Sequence, residues 1–346
     1  MTEFCCPICS NKLVEDKDFY VCERCGNKWP IRKGIGLFCK SKYWGEVTQK
    51  EMNEILEMIE KRGMDKGLEL AKTKKDSVVY RFGYDPSRAD WRFYLPVNKN
   101  WKVLDAGCGL GGMIFPLAKV VSEVVAFDSS FERIKFVNLN ISYNGLDNIK
   151  TFVGDFDNLP LKDSIFDLII LNGVLEWTGI PNESKNPREV QKDVLRKCLR
   201  LLKPGGYIYI GIENRFALNY FTTGRDHSGL RYTSLMPRFL ANIYTSLRIK
   251  KPYRTYTYTK RGYEKLLRET GFKKEKFLLL APGYNFPKYI IPYDNIYCLQ
   301  YAIKKLISPN SWKKRFVKKA SKFILFLKLY RKMFFCFGII SKKVKA

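Results

Sequence analysis

The run Val103-Leu104-Asp105-Ala106-Gly107-Cys108-Gly109-Leu110-Gly111-Gly112 constrains this chain most, because it places an apolar strand, a glycine turn and a helix start within ten residues. Gly107 and Gly109 permit a tight bend and a close approach of backbone to ligand, and the helix start beyond them offers unpaired N–H groups. Across residues 101–212, strand-like segments (102–105, 124–128, 149–153, 166–171 and 207–212) alternate with helix-like ones (112–121, 130–143 and 187–202). That alternation predicts an α/β fold, a parallel sheet covered by helices. Lys203-Pro204-Gly205-Gly206 is expected to stop the last helix and turn the chain into its strand. Asp128 closes the second strand at the distance expected of a carboxylate that binds ribose hydroxyls, and Asp155 follows the third. An aspartate in such a place can also serve only as a helix cap.

Residues 103–112, 125–128, Gly154-Asp155, Phe166-Asp167-Leu168-Ile169 and Leu202-Lys203-Pro204-Gly205-Gly206 together resemble the successive motifs of class I methyltransferases that use S-adenosylmethionine (SAM). The resemblance covers residues 80–280. It implies a Rossmann-like seven-stranded sheet and a SAM site built on the turn of Asp105, Gly107, Gly109 and Gly111, with Asp105 and Gly107 near the methionine moiety. It also implies Asp128 on the ribose, Asp155 and Phe156 beside the adenine, and Asn172 on the side of the methyl group. A dinucleotide-binding oxidoreductase shares the fold, but a tighter Gly-x-Gly-x-x-Gly run and paired halves would mark it. A scaffold that has lost catalysis is disfavoured by the intact Asp105, Gly107, Gly109, Asp128 and Asp155.

Cys6-Pro7-Ile8-Cys9 and Cys22-Glu23-Arg24-Cys25 are two C-x-x-C knuckles separated by a dozen residues. Four thiolates at this spacing can close a tetrahedron around Zn²⁺ with no open position for catalysis, so Cys6, Cys9, Cys22 and Cys25 are the expected ligands of a structural zinc. Cys5 is an alternative to Cys6. With Trp29-Pro30-Ile31 and Gly34-Ile35-Gly36 following, residues 1–42 resemble the small Trm112-like zinc ribbons, which implies a structural or docking role. Residues 43–79 show helical spacing at Met52, Ile55, Leu56 and Ile59 and are expected to form a helical linker.

The methyltransferase domain is expected over residues 80–300, with an acceptor-site insertion at 213–258, since ligands of parallel sheets bind beyond the carboxyl ends of the strands. That insertion holds Glu213-Asn214-Arg215 and Asp226-His227, the last being the chain's only histidine. Together with Thr257-Tyr258 and the stretch 283–287, it is similar to class I methyltransferases encoded with cell-surface polysaccharide enzymes. The similarity implies a glycan or lipid-linked sugar acceptor, with His227 as the base toward a hydroxyl, Glu213 and Arg215 positioning, and Asp226 beside the histidine. RNA is the competing acceptor, because a zinc ribbon and a basic, tyrosine-rich surface also suit nucleic acid. Leu171-Asn172-Gly173-Val174 lacks the Asn/Asp-Pro-Pro-aromatic run that holds an exocyclic base amine, and no Pro-Cys nucleophile is present, which leaves ribose or ring-nitrogen methylation.

A formal net charge of +28 favours polyanionic partners. Residues 295–346 contain no Asp or Glu, and residues 301–346 are expected to form a basic, amphipathic helical tail. Lys328, Arg331 and Lys332 interrupt the apolar run 323–340, which makes spanning a bilayer costly and lying on an anionic membrane surface the better membrane reading. With no stretch resembling a secretory signal at the N-terminus, the expected location is cytoplasmic, or peripheral on the inner face of the membrane through this tail.

Overall fold

In the computed structural model, residues 2–181, 184–222, 224–306 and 323–344 are described. They divide into two compact units, residues 2–171 with 200–207 and residues 172–199 with 208–344.

The first unit begins with four short antiparallel strands in sequential order, β1 (Val14–Asp16), β2 (Phe19–Val21), β3 (Lys28–Arg32) and β4 (Ile35–Gly36). A module this small has little core of its own. It gains one from the sheet that follows: the rings of Phe4, Tyr20 and Phe38 cluster with Phe152, with centroids of neighbours 5.3 to 5.7 Å apart. Backbone bonds extend the join, from Phe38 N to Val153 O at 2.8 Å and from Cys5 N to Pro160 O at 3.0 Å.

The linker forms helices α1 (Gln49–Arg62), α2 (Met64–Thr73) and α3 (Val78–Tyr84). Thr48 and Glu51 start α1 with a reciprocal capping box. The predicted stripe Met52, Ile55, Leu56 and Ile59 packs with Leu68, Val79, Leu110 and Phe136 in one apolar cluster, which gives the linker a partner in the α/β part. Strands β5 (Lys102–Ala106), β6 (Glu123–Asp128), β7 (Ile149–Val153) and β8 (Phe166–Asn172) pair in parallel in the order β8-β5-β6-β7. Their near-continuous apolar runs are buried, as a parallel sheet requires. Helix α4 (Ile114–Ala118) follows the glycine turn, and α5 (Phe131–Tyr143) follows Ser130, whose hydroxyl accepts from Arg133 N at 3.4 Å.

Helix α6 (Pro187–Leu201) runs directly into β9 (Leu202–Glu213), so Lys203-Pro204-Gly205-Gly206 lies inside the strand, with Gly205 at φ +85°. In the second unit follow α7 (Arg238–Ile249), α8 (Lys260–Glu269), β10 (Phe272–Ala281), β11 (Tyr289–Pro292), α9 (Ile296–Leu306) and β12 (Cys336–Lys343). The strand order here is β11-β10-β12-β9, with β10 antiparallel to both its neighbours.

Two expectations are corrected. The α/β part contains eight strands among the described residues, rather than seven, because the chain turns back after Ala281 and pairs Tyr289–Pro292 with the end of β10. The tail of residues 301–346 is not a helical appendage throughout. A short helix spans Ile324–Tyr330, but Cys336–Lys343 is a strand inside the sheet, with Phe337 and Ile339 fully buried. Its core, Phe337-Gly338-Ile339-Ile340, is aromatic and β-branched, and that pattern prevails over the basic flanks. Residues 307–322, including Trp312 and its basic neighbours, lie outside the described residues. Among the described residues, no helix is long and apolar enough to cross a membrane.

The fourth glycine of the turn is needed for space: a Cβ on Gly112 would overlap the backbone carbonyl of Phe82 and press on Arg88. Gly112→Ala is expected to destabilise the protein by about 1–3 kcal/mol, the usual cost of forcing a methyl into a packed site. A lowered denaturation midpoint relative to Gly283→Ala, where a Cβ would meet only Cys336 Sγ at 4.0 Å, would check it.

Candidate functional site

In the first unit, Gly107, Gly109 and Gly111 all take left-handed φ angles, +78°, +58° and +83°. Only glycine adopts these readily, and the turn they make at the carboxyl end of β5 is tied to β6, with Gly107 N and Cys108 N both donating to Phe127 O, at 2.8 and 2.9 Å. Asp105, the residue that opens the turn, is fully buried, and neither of its carboxylate oxygens has a hydrogen-bond partner. Burial pushes its pKa up to about 7, against the pull of the Arg88 guanidinium. A cationic amine, such as the ammonium of a methionine moiety, is the chemistry that would satisfy it.

Asp128 is buried at the end of β6. Its Oδ2 accepts from Gly109 N at 3.0 Å, its Oδ1 accepts from Ser130 N at 2.9 Å, and Arg133 Nη1 stands 3.5 Å away. Arg133 is in turn held by Glu46 in the linker, at 2.9 Å. Asp155 caps its own turn, accepting from Asp157 N at 2.9 Å and Asn158 N at 3.2 Å, while the half-buried Phe156 ring meets Phe127 edge-on at 5.4 Å. The buried, unpartnered carboxylate of Asp105 thus fits a cationic group of SAM in charge, and Asp105 and Asp128 are the residues that would hold the cofactor.

Also in the first unit, the Sγ atoms of Cys6, Cys9, Cys22 and Cys25 all lie within 4.8 Å of one another, with Cys6 to Cys25 at 3.6 Å and Cys9 to Cys22 at 3.4 Å. Thiolates bound about 2.3 Å from a tetrahedral ion stand roughly 3.8 Å apart. The four sulfurs therefore suit one such ion. Cys5 is buried and stands outside this set.

The second unit holds a different cluster. Glu213 ends β9, Glu176 lies in a short 3₁₀ turn after β8, and His227 comes from the polar loop; one ligand atom from each lies within 4.8 Å of the others. His227 Nε2 is 3.1 Å from Glu213 Oε2 and 3.7 Å from Glu176 Oε1, without the alignment of a hydrogen bond. The imidazole packs on Trp177, with ring centroids 4.3 Å apart. Glu176 is fully buried; its Oε1 accepts from Tyr284 Oη at 3.4 Å and its Oε2 has no partner. Burial, with the charge of Glu213 adding to it, pushes the Glu176 carboxyl up to about 8. Burial opposes charge on His227, but Glu213, Glu176 and Asp226 outweigh it and raise the imidazole to about 9. Glu176 and His227, whose charges act on each other, hold and release protons as a pair.

The other named residues have separate work. Arg215 donates to Ser234 O at 2.8 Å and Met236 O at 2.7 Å, so its guanidinium pins the loop between residues 215 and 236. Asp226 accepts from Ser228, Thr233 and Tyr253 and supports the turn that presents His227. Asn172 lies against Gly211 with both its amide atoms buried and unpartnered. Asn214 donates to Lys332 O at 2.8 Å and Phe334 O at 2.9 Å. Sequence reasoning missed Glu176. Its one available signal is an acid four residues past Asn172, beyond the fourth strand, in a turn with no periodicity.

Residues 97–229 match a family model described as a methyltransferase domain, and the fold is that of the class I SAM-dependent methyltransferases. The chain is 31% identical over 117 residues to the sterol 4-C-methyltransferase strm-1 of Caenorhabditis elegans, covering 32% of this chain and 31% of that protein. It is 29% identical over 143 residues to the tRNA N(3)-methylcytidine methyltransferase trm141 of Schizosaccharomyces pombe, covering 40% and 56%. The chain thus spans less than two thirds of the length of these curated relatives. Among solved structures, it is similar to phosphoethanolamine N-methyltransferase 2 of Haemonchus contortus in complex with SAM, at 14% identity and TM-score 0.45, covering 81% of this chain and 60% of that one.

Asp128→Ala is expected to weaken SAM binding about 10- to 100-fold, the worth of hydrogen bonds to a charged group. Isothermal titration checks it, and unchanged affinity would remove Asp128 from the cofactor site.

Proposed function

We propose that the protein is a SAM-dependent methyltransferase that transfers the methyl group to an oxygen, a hydroxyl of a glycan or lipid-linked sugar. The observation that carries this reading is the Glu176, Glu213 and His227 cluster. The sulfonium methyl is already electrophilic, so transfer asks for placement of the acceptor and, for a hydroxyl, a group to take its proton. The Glu176 carboxyl and the His227 imidazole, both raised above neutral pH, supply that group, with His227 as the base and Glu213 orienting it. The relatives are named for sterol and tRNA acceptors, so the acceptor is inferred from this chain's own cluster and from the likeness of residues 210–290 to polysaccharide-associated methyltransferases. Arg215 and Asp226 contribute by fixing the loop rather than by touching the acceptor.

We also propose that Cys6, Cys9, Cys22 and Cys25 hold a structural Zn²⁺. Because the aromatic cluster joins this module to β7, the metal would stabilise the whole first unit. Metal analysis of the purified chain should find about one zinc per chain, and Cys22→Ser should lose it.

His227→Ala should lower turnover about 10²- to 10⁴-fold, the usual contribution of a general base, while SAM binding measured by titration is unchanged. The acceptor is tested by methyl transfer from labelled SAM to lipid-linked oligosaccharide and, in parallel, to tRNA. Label entering only the tRNA would overturn the sugar assignment. Turnover should also rise with pH through about 8 to 9 as the cluster gives up its proton. Glu213→Gln removes a charge that raises both Glu176 and His227, so it should move that rise to lower pH. A profile left in place would exclude the cluster as the base.

A further inference from the structure

Helix α7 carries an apolar face that nothing in the described structure covers. Phe239 is 66% exposed, Ile243 54%, Leu247 70% and Leu240 44%. At 100° per residue these four side chains fall within an arc of about 100°, so they form one stripe. Ala241 and Thr245, on the opposite side, are fully buried and seat the helix on its own unit. A surface helix ordinarily turns its apolar stripe inward; here a second stripe faces out.

Charge selects what could cover it. Residues 227–263 contain eight Lys and Arg and no Asp or Glu. Arg248 in the last turn of the helix, and Lys250 and Lys251 just after it, are exposed. An apolar stripe of this width with a cationic rim complements an anionic lipid surface, where the stripe enters the boundary of headgroups and acyl chains and the rim meets the lipid phosphates. A second copy of the chain would bring the same cationic rim against itself.

We infer that α7 is an interfacial helix that docks the second unit on an anionic bilayer. This moves the membrane contact away from the C-terminal residues, where β12 is committed to the sheet. The loop bearing His227 leads directly into α7, and Arg215 ties Ser234 and Met236, at the entrance to the helix, to the end of β9. Docking therefore holds the proton-accepting cluster of this unit in a fixed relation to the lipid surface. The inference deepens the lipid-linked acceptor reading and rests on it for its purpose; the docking itself stands on the helix.

The test is sedimentation of the full chain with vesicles of phosphatidylcholine and phosphatidylglycerol, against vesicles of phosphatidylcholine alone. Binding is expected to the anionic vesicles and to fall as salt is raised. The variant Phe239→Ser, Ile243→Ser, Leu247→Ser is expected to bind at least about tenfold more weakly, since three apolar side chains that would enter the bilayer are lost. It should keep SAM affinity and its unfolding midpoint, because the mutated face is exposed. Lys250→Glu with Lys251→Glu should weaken binding to the anionic vesicles and leave SAM affinity unchanged. Wild-type sedimentation by the triple variant would overturn the inference, as would absence of binding by the parent chain. A concentration-dependent dimer that the triple variant abolishes, without vesicle binding, would assign the face to a second copy and overturn it too. Methyl transfer to a water-soluble sugar acceptor separates the two readings: docking can fail while that activity persists, and the activity can fail while docking persists.

Discussion

Asp105 and Glu176 are carboxyl groups stripped of water and left without enough hydrogen bonds, and much of each unit is arranged around that cost. Each comes from a strand or the turn just past one, where the apolar sheet leaves little room for solvent. A carboxylate in such a place costs several kcal/mol unless it is paired or takes a proton. The first unit sets Arg88 within electrostatic reach of Asp105; the second sets His227 and Tyr284 beside Glu176. Neither compensation is complete. What is left over is affinity for a cation at Asp105 and for a proton at Glu176, and those are the two properties that methyl transfer from a sulfonium cofactor to a hydroxyl would draw upon.

The parts of this arrangement that were legible in the sequence are the local ones. The glycine turn declares itself because φ angles near +80° admit little but glycine, and Asp105 and Asp128 declare themselves by position at the ends of apolar strands. Cys6, Cys9, Cys22 and Cys25 were readable from the spacing of the two knuckles, except that only the folded chain separates Cys6 from its neighbour Cys5. The helical stripe of Met52 to Ile59 was equally clear, although its partners, Leu110 and Phe136, were not.

What escaped depends on distant pairing. The residues of β12 follow a basic, aromatic stretch that suggests an appendage, and only their pairing with β10, across residues 282–335, makes them a strand. Glu176 has neither a motif nor a period; it matters because Glu213 and His227 arrive from elsewhere in the chain. Arg215, expected to position, holds the backbone carbonyls of Ser234 and Met236, and neither partner could be named from the sequence. The segment Glu213-Asn214-Arg215 is thus three adjacent side chains with three destinations: the proton-holding cluster, the turn that leads into β12 and the loop.

Asn214 gives this arrangement a consequence in time. Its side chain bonds to the carbonyls of Lys332 and Phe334, and its own amide donates to Phe335 O. As the chain leaves the ribosome, the first 171 residues contain nearly everything the cofactor turn needs. Glu213, by contrast, is synthesised more than a hundred residues before the partners that anchor its neighbour. Asn214, beside the cluster, therefore cannot meet its final partners until translation has almost ended, well after the residues of the glycine turn have been made.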